Sequence, residues 1–282
     1  MASENPDRLN DRDFARLATF IHDYSGIKMP VAKKTMVEGR LRKRVAATGA
    51  AHLTDYCRHL FDRGGLADEA VHLIDVITTN KTDFFREPEH FRFLDEVVLP
   101  RLVAGRRGSP NPFLKVWSTA SSTGAEPYTL AMVLADASQR LGGFRFSIIA
   151  TDISTQVLEI AALAIYPEAM IEPVALDMRK RYLLHSKQAT RRQVRVIPEL
   201  RRMVQFGRLN LMDTSYPIDR DLDVIFCRNM LIYFDKPTQQ MVVSRLCDHL
   251  RPGGFLFLGH AESLAGSNLP VVPVGPSMFC RE

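Results

Sequence analysis

A loop of small residues separates an apolar run from a helix start at residues 116–132, which read VWSTASSTGAEPYTLAM. Small residues allow backbone to approach a ligand closely, and a loop that leads into a helix offers free N–H donors. The segment has neither the G-x-G-x-x-G spacing of a dinucleotide site nor the G-K-[ST] of a P-loop. Since packing alone also produces strand, loop and glycine in α/β proteins, this segment indicates a ligand loop only together with other residues.

Asp152 is such a residue, because it follows the apolar run FSIIAT where a strand is expected to end. A carboxylate at that place can accept hydrogen bonds from both hydroxyls of a ribose. Asp is also a common helix cap, and a helical pattern begins at Ser154. Combined with the loop at 116–132, Asp152 favours a nucleoside ligand.

The segment TTNKTDFFREPEHF, residues 78–91, places polar side chains around a Phe pair. The polar side chains in this segment that could contact a ligand are Asn80, Thr82 and Arg86. A plain helix-to-helix turn has a similar composition and is the alternative interpretation.

A further polar cluster, CRNMLIYF at residues 227–234, follows the apolar run DVIF. It places Arg228, Asn229 and Tyr233 beyond the end of a predicted strand. Asn229 and Tyr233 share one face if the segment is helical. Simple aromatic packing at the sheet edge is the alternative role for Tyr233.

The elements that position these residues begin with helices. Asn10 or Asp11 can cap a segment whose apolar residues recur at three- and four-residue steps, and Gly26 is placed to end it. Further helices are predicted at about 31–48, 53–61, 69–77 and 88–102. The Gly-, Pro- and Arg-rich segment 105–112 is predicted to be a linker. Residues 1–105 are therefore expected to form a helical N-terminal domain.

Beyond the linker, short apolar runs alternate with helical patterns. Strands are predicted at 113–117, 146–150, 224–227 and 255–258, with helices from about 126, from 154 and at 237–250. This alternation predicts a doubly wound α/β domain over residues 106–282, with ligands bound beyond the carboxyl ends of the strands. Residues 175–206 break the alternation and are interpreted as a small antiparallel β insertion, with strands at 193–196 and 203–206.

Composition narrows the class of protein. Of 282 residues, 46% are hydrophobic and 24% charged, and 37 Lys and Arg against 32 Asp and Glu give a formal net charge of +5. This is typical of a globular chain. The first residues show no pattern of a secretory signal. A span of a bilayer needs about 18 apolar residues, and every apolar run in the sequence is much shorter, so a cytoplasmic protein is expected. The four cysteines form no C-x-x-C pair and are expected to be buried or incidental thiols.

The motifs TTNKTDFFRE, WSTASSTGAEPYTLAM, ATDIS, NLMD, FCRNMLIYF and GHAESL occur in this order over nearly the full length. Together they resemble the bacterial chemotaxis receptor methyltransferases, the CheR family. The resemblance implies a helical N-terminal domain and a Rossmann-like S-adenosylmethionine-binding domain carrying a small β-subdomain. It also implies a protein-glutamate O-methyltransferase that esterifies glutamates on the cytoplasmic helices of methyl-accepting chemotaxis receptors, in sensory adaptation. A monomer is expected.

By this resemblance, and not from spacing, the cofactor contacts fall on Asn80, Thr82, Arg86, Glu126, Asp152, Asn210, Leu211, Arg228 and Asn229. The cofactor is S-adenosyl-L-methionine, the product is S-adenosyl-L-homocysteine, and no metal is implied. The chain departs from the family at two positions: the family usually has Cys where this chain has Ser121, and a Glu pair where it has Ala125 and Glu126. Ser conserves the size of Cys, and Glu126 remains as the ligand.

The implied reaction needs little acid–base help. A glutamate with a reference pKa of about 4.3 is already ionised at neutral pH. Catalysis is therefore expected to rest on alignment and partial desolvation, without a nucleophilic triad. We expect Arg86 to hold a carboxylate, of cofactor or substrate, through a bidentate pair, and Tyr233 to orient the acceptor or line the methyl path.

The second predicted helix suggests the partner. In KKTMVEGRLRKR, an apolar stripe lies beside four basic residues that project within about 100° of one another: Lys33, Arg40, Lys43 and Arg44. A charged helix face is usually only solvated surface. Here Glu38 is the only acid among seven basic residues between 28 and 44, which favours docking on acidic receptor helices, and the family resemblance implies the same use.

Two alternatives remain open at this point. One is a methyltransferase acting on RNA, suggested by the basic clusters, although the chain lacks the aromatic and basic interleaving of single-strand RNA readers. The other is a non-catalytic adaptor that binds the cofactor without turnover. The presence of Arg86, Asp152, Asn229 and Tyr233 argues against an adaptor.

Overall fold

The computed structural model describes residues 7–106, 111–188, 190–266 and 268–282. The N-terminal part is helical, as the sequence predicts, and a 3₁₀ turn at Val31–Lys33 leads into its second helix. Its four helices within the described residues are α1 (Asp11–Ser25), α2 (Lys34–Thr48), α3 (Leu53–Asp62) and α4 (Leu66–Ile77).

Helix α1 is capped at both ends as the sequence predicts. The Asn10 side chain accepts a hydrogen bond from the Asp13 amide at 2.7 Å, and Gly26 ends the helix in the left-handed conformation at φ 73°. A Cβ at Gly26 would lie 2.8 Å from the Met212 sulfur, so the glycine also permits a close approach to the sheet domain. The inward residues Phe14, Leu17 and Ile21 are buried in a core shared with α2 to α4.

A longer helical stretch follows, made of α5 (Pro88–Phe93), a π-helical turn at Leu94–Val98 and α6 (Leu99–Ala104). Its buried residues belong to the core of the sheet domain together with Leu114 of the first strand. The predicted linker at 105–112 includes residues 107–110, which lie outside the described residues, and the domain boundary stays a prediction.

The sheet domain has a seven-stranded main sheet, counting described residues. Its strands are β1 (Phe113–Ser118), β2 (Arg145–Asp152), β6 (Val204–Arg208), β7 (Leu222–Cys227), β8 (Leu250–Leu258), β9 (Val271–Gly275) and β10 (Met278–Arg281). In the order β6-β2-β1-β7-β8-β10-β9, the first five strands run parallel, β10 is antiparallel to β8, and β9 is antiparallel to β10. The doubly wound α/β fold is confirmed.

Helices cover both faces of this sheet, which explains the continuous apolar runs in its strands. They are α7 (Ala125–Arg140), α8 (Thr155–Leu163) and α11 (Lys236–His249), with the short α9 (Leu176–Tyr182) and α10 (Pro198–Arg201) nearby. Every residue of β7 is buried between β1 and β8. A strand buried on both faces reads as an apolar run and not as an alternation.

A three-stranded antiparallel sheet accounts for the predicted insertion, but with different strands. It is formed by β3 (Ile165–Pro167), β5 (Gln193–Val196) and β4 (Leu183–His185), in that order. The prediction that residues 203–206 belong to it is wrong, because β6 pairs in parallel with β2, Val204 opposite Ile148. A short apolar run fits either sheet, and Val204 is buried at the edge beside β2.

The predicted state of the cysteines is confirmed, since Cys57, Cys227, Cys247 and Cys280 are all buried free thiols. Of the helices that the structure describes, none combines the length and the apolar character needed to cross a membrane.

Candidate active site

A cleft lies at the carboxyl ends of β1, β2 and β7. The strand order reverses between β1 and β7, and ligands of open α/β sheets bind at such a reversal. The helical N-terminal part forms the opposite wall through residues that include Ile27, Lys33 and Met36. The cleft is therefore enclosed by two parts of the chain that are far apart in sequence.

The structure brings all predicted cofactor residues to this cleft. Its lining includes Asn80, Thr82, Arg86, Glu126, Asp152, Asn210, Leu211, Arg228 and Asn229. Tyr233 and Lys33 also line it, with the Lys33 ammonium 5.9 Å from the centre of the Tyr233 ring. The other predicted docking residues, Arg40, Lys43 and Arg44, are outside the lining.

The small-residue loop after β1 contributes Thr119, Ala120 and Ser122 to the lining of the cleft. Its path is fixed by a hydrogen bond from the Ser121 amide to the Thr151 carbonyl at 2.9 Å. Gly124 adopts φ 92°, and a Cβ there would lie 2.7 Å from the Tyr166 hydroxyl. Only glycine combines this conformation with this contact, so the loop can turn tightly into α7.

Asp152 ends β2 with its carboxylate held at the cleft. The Ser122 amide donates to one oxygen at 2.8 Å and the Ser154 amide to the other at 3.0 Å. Burial raises the pKa of Asp152, and these backbone hydrogen bonds oppose the rise. Each carboxylate oxygen keeps acceptor capacity, so a ribose diol at this place would find two fixed acceptors.

Arg228 is held between two carboxylates. Its guanidinium donates to Glu126 at 3.1 Å and to Glu87 at 3.0 Å, and it lies over the Phe91 ring at 5.2 Å. Burial raises the pKa of Glu126 against the charge of Arg228. Burial also disfavours the ionised Glu87, but the Asn229 hydrogen bond and the Arg228 charge outweigh it and lower that pKa.

Glu87 is a site residue that the sequence analysis missed. It lies just before Pro88, the first residue of α5, at φ 57°. Its carboxylate also accepts from the Asn229 side-chain amide at 3.0 Å. The only sequence signal was its place inside the segment 78–91.

Two predicted residues have parts of their side chains already committed. The Asn210 amide nitrogen donates to the Tyr24 carbonyl at 2.6 Å, and its oxygen accepts from the Met212 amide at 3.0 Å. Asn210 is thus more suited to offer backbone than side chain to a ligand. Arg86 donates to the Lys81 carbonyl at 3.0 Å and has further N–H groups for a carboxylate.

The basic helix α2 is tied into the N-terminal part. Arg44 forms a two-point pair with Glu69, at 3.0 and 2.7 Å. Arg40 donates to the Ile77 and Thr78 carbonyls and to the Thr79 hydroxyl. Lys43, in contrast, is exposed. The docking role of these residues stays a prediction.

Among the described residues, Glu87, His90 and His260 have ligand atoms within 4.8 Å of one another. Glu87 is already bonded to Arg228, and a guanidinium in contact with a ligand opposes a bound cation. We therefore regard this cluster as an extension of the Arg228 network and assign no metal to it.

Comparison with known proteins agrees with this geometry. Residues 80–275 match the family described as "CheR methyltransferase, SAM binding domain", and residues 12–78 match "CheR methyltransferase, all-alpha domain". The chain belongs to the CheR methyltransferase family. The first match covers every residue of the Asp152 and Arg228 networks, and the second covers α1 to α4 except Asp11.

Several CheR relatives are similar over most of the chain. The chemotaxis protein methyltransferase of Salmonella typhimurium is 38% identical over 259 residues, which is 91% of this chain and 85% of the relative. That of Borreliella burgdorferi is 36% identical, over 90% of this chain and 89% of the relative. Chemotaxis protein methyltransferase 2 of Pseudomonas aeruginosa is 35% identical, over 95% and 92%.

The two departures from the CheR pattern lie outside the lining of the cleft. Ser121 and Ala125 are both fully buried and neither lines it. Glu126, which does line it, is held by Arg228 and by the Ser118 hydroxyl at 2.7 Å. The donor and acceptor set of the cleft therefore fits S-adenosylmethionine, the ligand in the family's description.

Proposed function

We propose that this CheR protein transfers the methyl group of S-adenosylmethionine to glutamate side-chain carboxylates on the cytoplasmic helices of chemoreceptors. The observation that carries the proposal is the single cleft in which the Asp152 carboxylate, Arg86 and the Arg228–Glu126 pair converge. The family membership and the names of the relatives support the same reaction.

Two parts of the cofactor, the ribose and the amino-acid part, have candidate residues in the cleft. Asp152 would accept the ribose hydroxyls. Glu126, Arg86 and the backbone of the loop after β1 would hold the charged amino-acid part, with Asn80 and Thr82 beside them. The fit is supported by the fixed Asp152 oxygens and by the tight turn at Gly124, which leads the loop after β1 into α7.

The cofactor supplies a methyl group activated by a sulfonium centre, and the protein supplies alignment. The substrate carboxylate is ionised at neutral pH and needs no general base. Arg86 would hold that carboxylate or the cofactor carboxylate, and half-buried Tyr233 at the cleft would orient the acceptor oxygen. The apolar lining, which includes Met29, Met36 and Ile153, would exclude water that solvates the separated charges.

The receptor is proposed to approach over α2 and the mouth of the cleft. Lys33, the last residue of the 3₁₀ turn before α2, lines the cleft beside Tyr233, and exposed Lys43 lies on α2. Acidic receptor helices would be attracted to this surface. We further propose that the protein acts in the cytoplasm as a monomer and binds no nucleic acid.

A mass-spectrometric experiment tests the substrate. Purified protein, S-adenosylmethionine and a chemoreceptor cytoplasmic fragment are incubated, and receptor peptides are sequenced. Glutamate methyl esters on helical peptides are expected. Unmodified receptor peptides from a protein that binds the cofactor would contradict the proposal, and methylated RNA in a parallel reaction would point to the other substrate class.

A further inference from the structure

Glu262 lies next to the cleft without lining it. It is 6% exposed and belongs to the loop that follows β8. One carboxylate oxygen accepts from the Gly259 amide at 2.6 Å and the Asn229 amide at 3.1 Å. The other accepts from the Leu231 amide at 2.7 Å and the Ile232 amide at 3.3 Å. One side chain thus satisfies four backbone donors.

Three of these donors are amides of the loop after β7, where no hydrogen bond of a helix or strand is available to them. Asn229 adopts φ 56°, a left-handed conformation that turns the chain away from the strand direction. Buried amides in such a turn need an acceptor from elsewhere, and the Glu262 carboxylate provides it. The conformation of this loop therefore depends on a residue more than thirty positions later in the chain.

Gly259 makes the close approach possible. A Cβ at this position would lie 2.6 Å from the Asn229 side-chain nitrogen and 3.0 Å from a Glu262 oxygen. No side chain fits there without displacing Asn229. The side chain of Asn229 is held by Glu87. The backbone amide of Asn229 is therefore fixed by Glu262 and its side-chain amide by Glu87.

We propose that Glu262 is a positioning residue, which acts through the 229–233 loop to hold Asn229 and Tyr233 at the cofactor cleft. Both of these residues line the cleft. The role rests on the proposed function, because it assigns to Glu262 the geometry of the cofactor and acceptor groups.

The test measures the dissociation constant of S-adenosylhomocysteine by calorimetry, together with kcat and KM for receptor methylation. Glu262→Gln keeps the size of the side chain but turns an NH₂ group toward backbone donors. We expect cofactor binding and kcat to fall on the order of 10- to 100-fold, the cost of about 1 Å of misplacement. Gly259→Ala keeps the carboxylate and pushes on Asn229, so the same pattern is expected.

Asp223→Asn is the matched control. Asp223 is also a fully buried carboxylate that accepts a backbone amide, from Lys115 at 2.8 Å, and it accepts side-chain N–H groups of Arg106 and Arg251 as well, but it is outside the cleft. The Asp223→Asn variant should have a lower melting temperature and an unchanged cofactor affinity. The proposal is overturned if Glu262→Gln and Gly259→Ala bind and turn over like wild type, or if affinity follows melting temperature alike in all three variants. Wild-type protein that binds no cofactor would overturn the proposed function itself and this role with it.

Discussion

Arg40 of α2 donates a hydrogen bond to the main-chain carbonyl of Thr78 at 2.9 Å. The same guanidinium donates to the Thr79 hydroxyl at 3.0 Å, and both threonines line the cleft. The helix proposed to meet the receptor is thereby joined to the wall proposed to meet the cofactor. Arg40 was predicted from sequence as a docking residue alone.

Arg40→Ala should weaken cofactor binding although Arg40 does not line the cleft. Hydrogen bonds from charged groups each contribute about 1.5–3 kcal/mol, and part of that loss should appear when the 77–79 wall loosens. Calorimetry with S-adenosylhomocysteine measures it. Lys43→Ala, an exposed position on the same helix, is the control and should bind like wild type. Unchanged affinity in Arg40→Ala would restrict Arg40 to docking.

Lys43→Glu should raise the KM for receptor while leaving cofactor affinity intact. Exposed ion pairs contribute about 0.2–1 kcal/mol each, so the effect of one reversal is modest and should shrink in high salt. Initial rates at two salt concentrations measure it. Arg92→Glu on α5, at a side chain 62% exposed, is the charge-matched control. Equal effects from both reversals would indicate a general charge effect and no specific docking at α2.

Asp152→Asn should lower cofactor affinity by about 1.5–3 kcal/mol, the usual contribution of hydrogen bonds to an ionised acceptor. The amide side chain keeps one oxygen for the Ser122 or Ser154 amide but offers an NH₂ group to a ribose hydroxyl. Calorimetry and a melting curve on the same sample separate affinity from stability. Wild-type affinity in this variant would mean that Asp152 only caps the local backbone.

Stability should fall on acidification because of His90. Burial, and then the charge of Arg228, lower its pKa from 6.5 to about 4. Between these values the unfolded chain binds a proton that the folded protein does not, so the free energy of unfolding rises with pH across this window. Across the whole window, the free energy of unfolding changes by about 3 kcal/mol.

His90→Phe tests this, since a Phe ring suits the neighbouring Phe257 ring at 5.8 Å. Denaturant unfolding at about pH 7 and about pH 5 should show a smaller loss on acidification in the variant than in wild type. Identical losses in both proteins would show that His90 is not the source.

Local pattern predicted most of the fold, because α1 carries its caps at Asn10 and Gly26 and β2 ends in a polar Asp152. It failed for residues 203–206, since the choice between two sheet edges is made by tertiary burial beside Ile148. The family resemblance assigned the cofactor contacts, and of these the strand pattern by itself had indicated Asp152 as a nucleoside ligand. Glu87 and Glu262 were missed because their partners are far away in sequence. Asn229, for example, lies 142 positions after Glu87.

Release of methyl label by mild alkali is the most direct measurement of the central claim. The protein is incubated with methyl-labelled S-adenosylmethionine and chemoreceptor-containing membranes, and volatile label is collected after alkali. We predict label on the receptor that is released as methanol, since a carboxyl methyl ester hydrolyses under these conditions. Alkali-stable label, label found in RNA, or no label despite measured cofactor binding would contradict glutamate methylation.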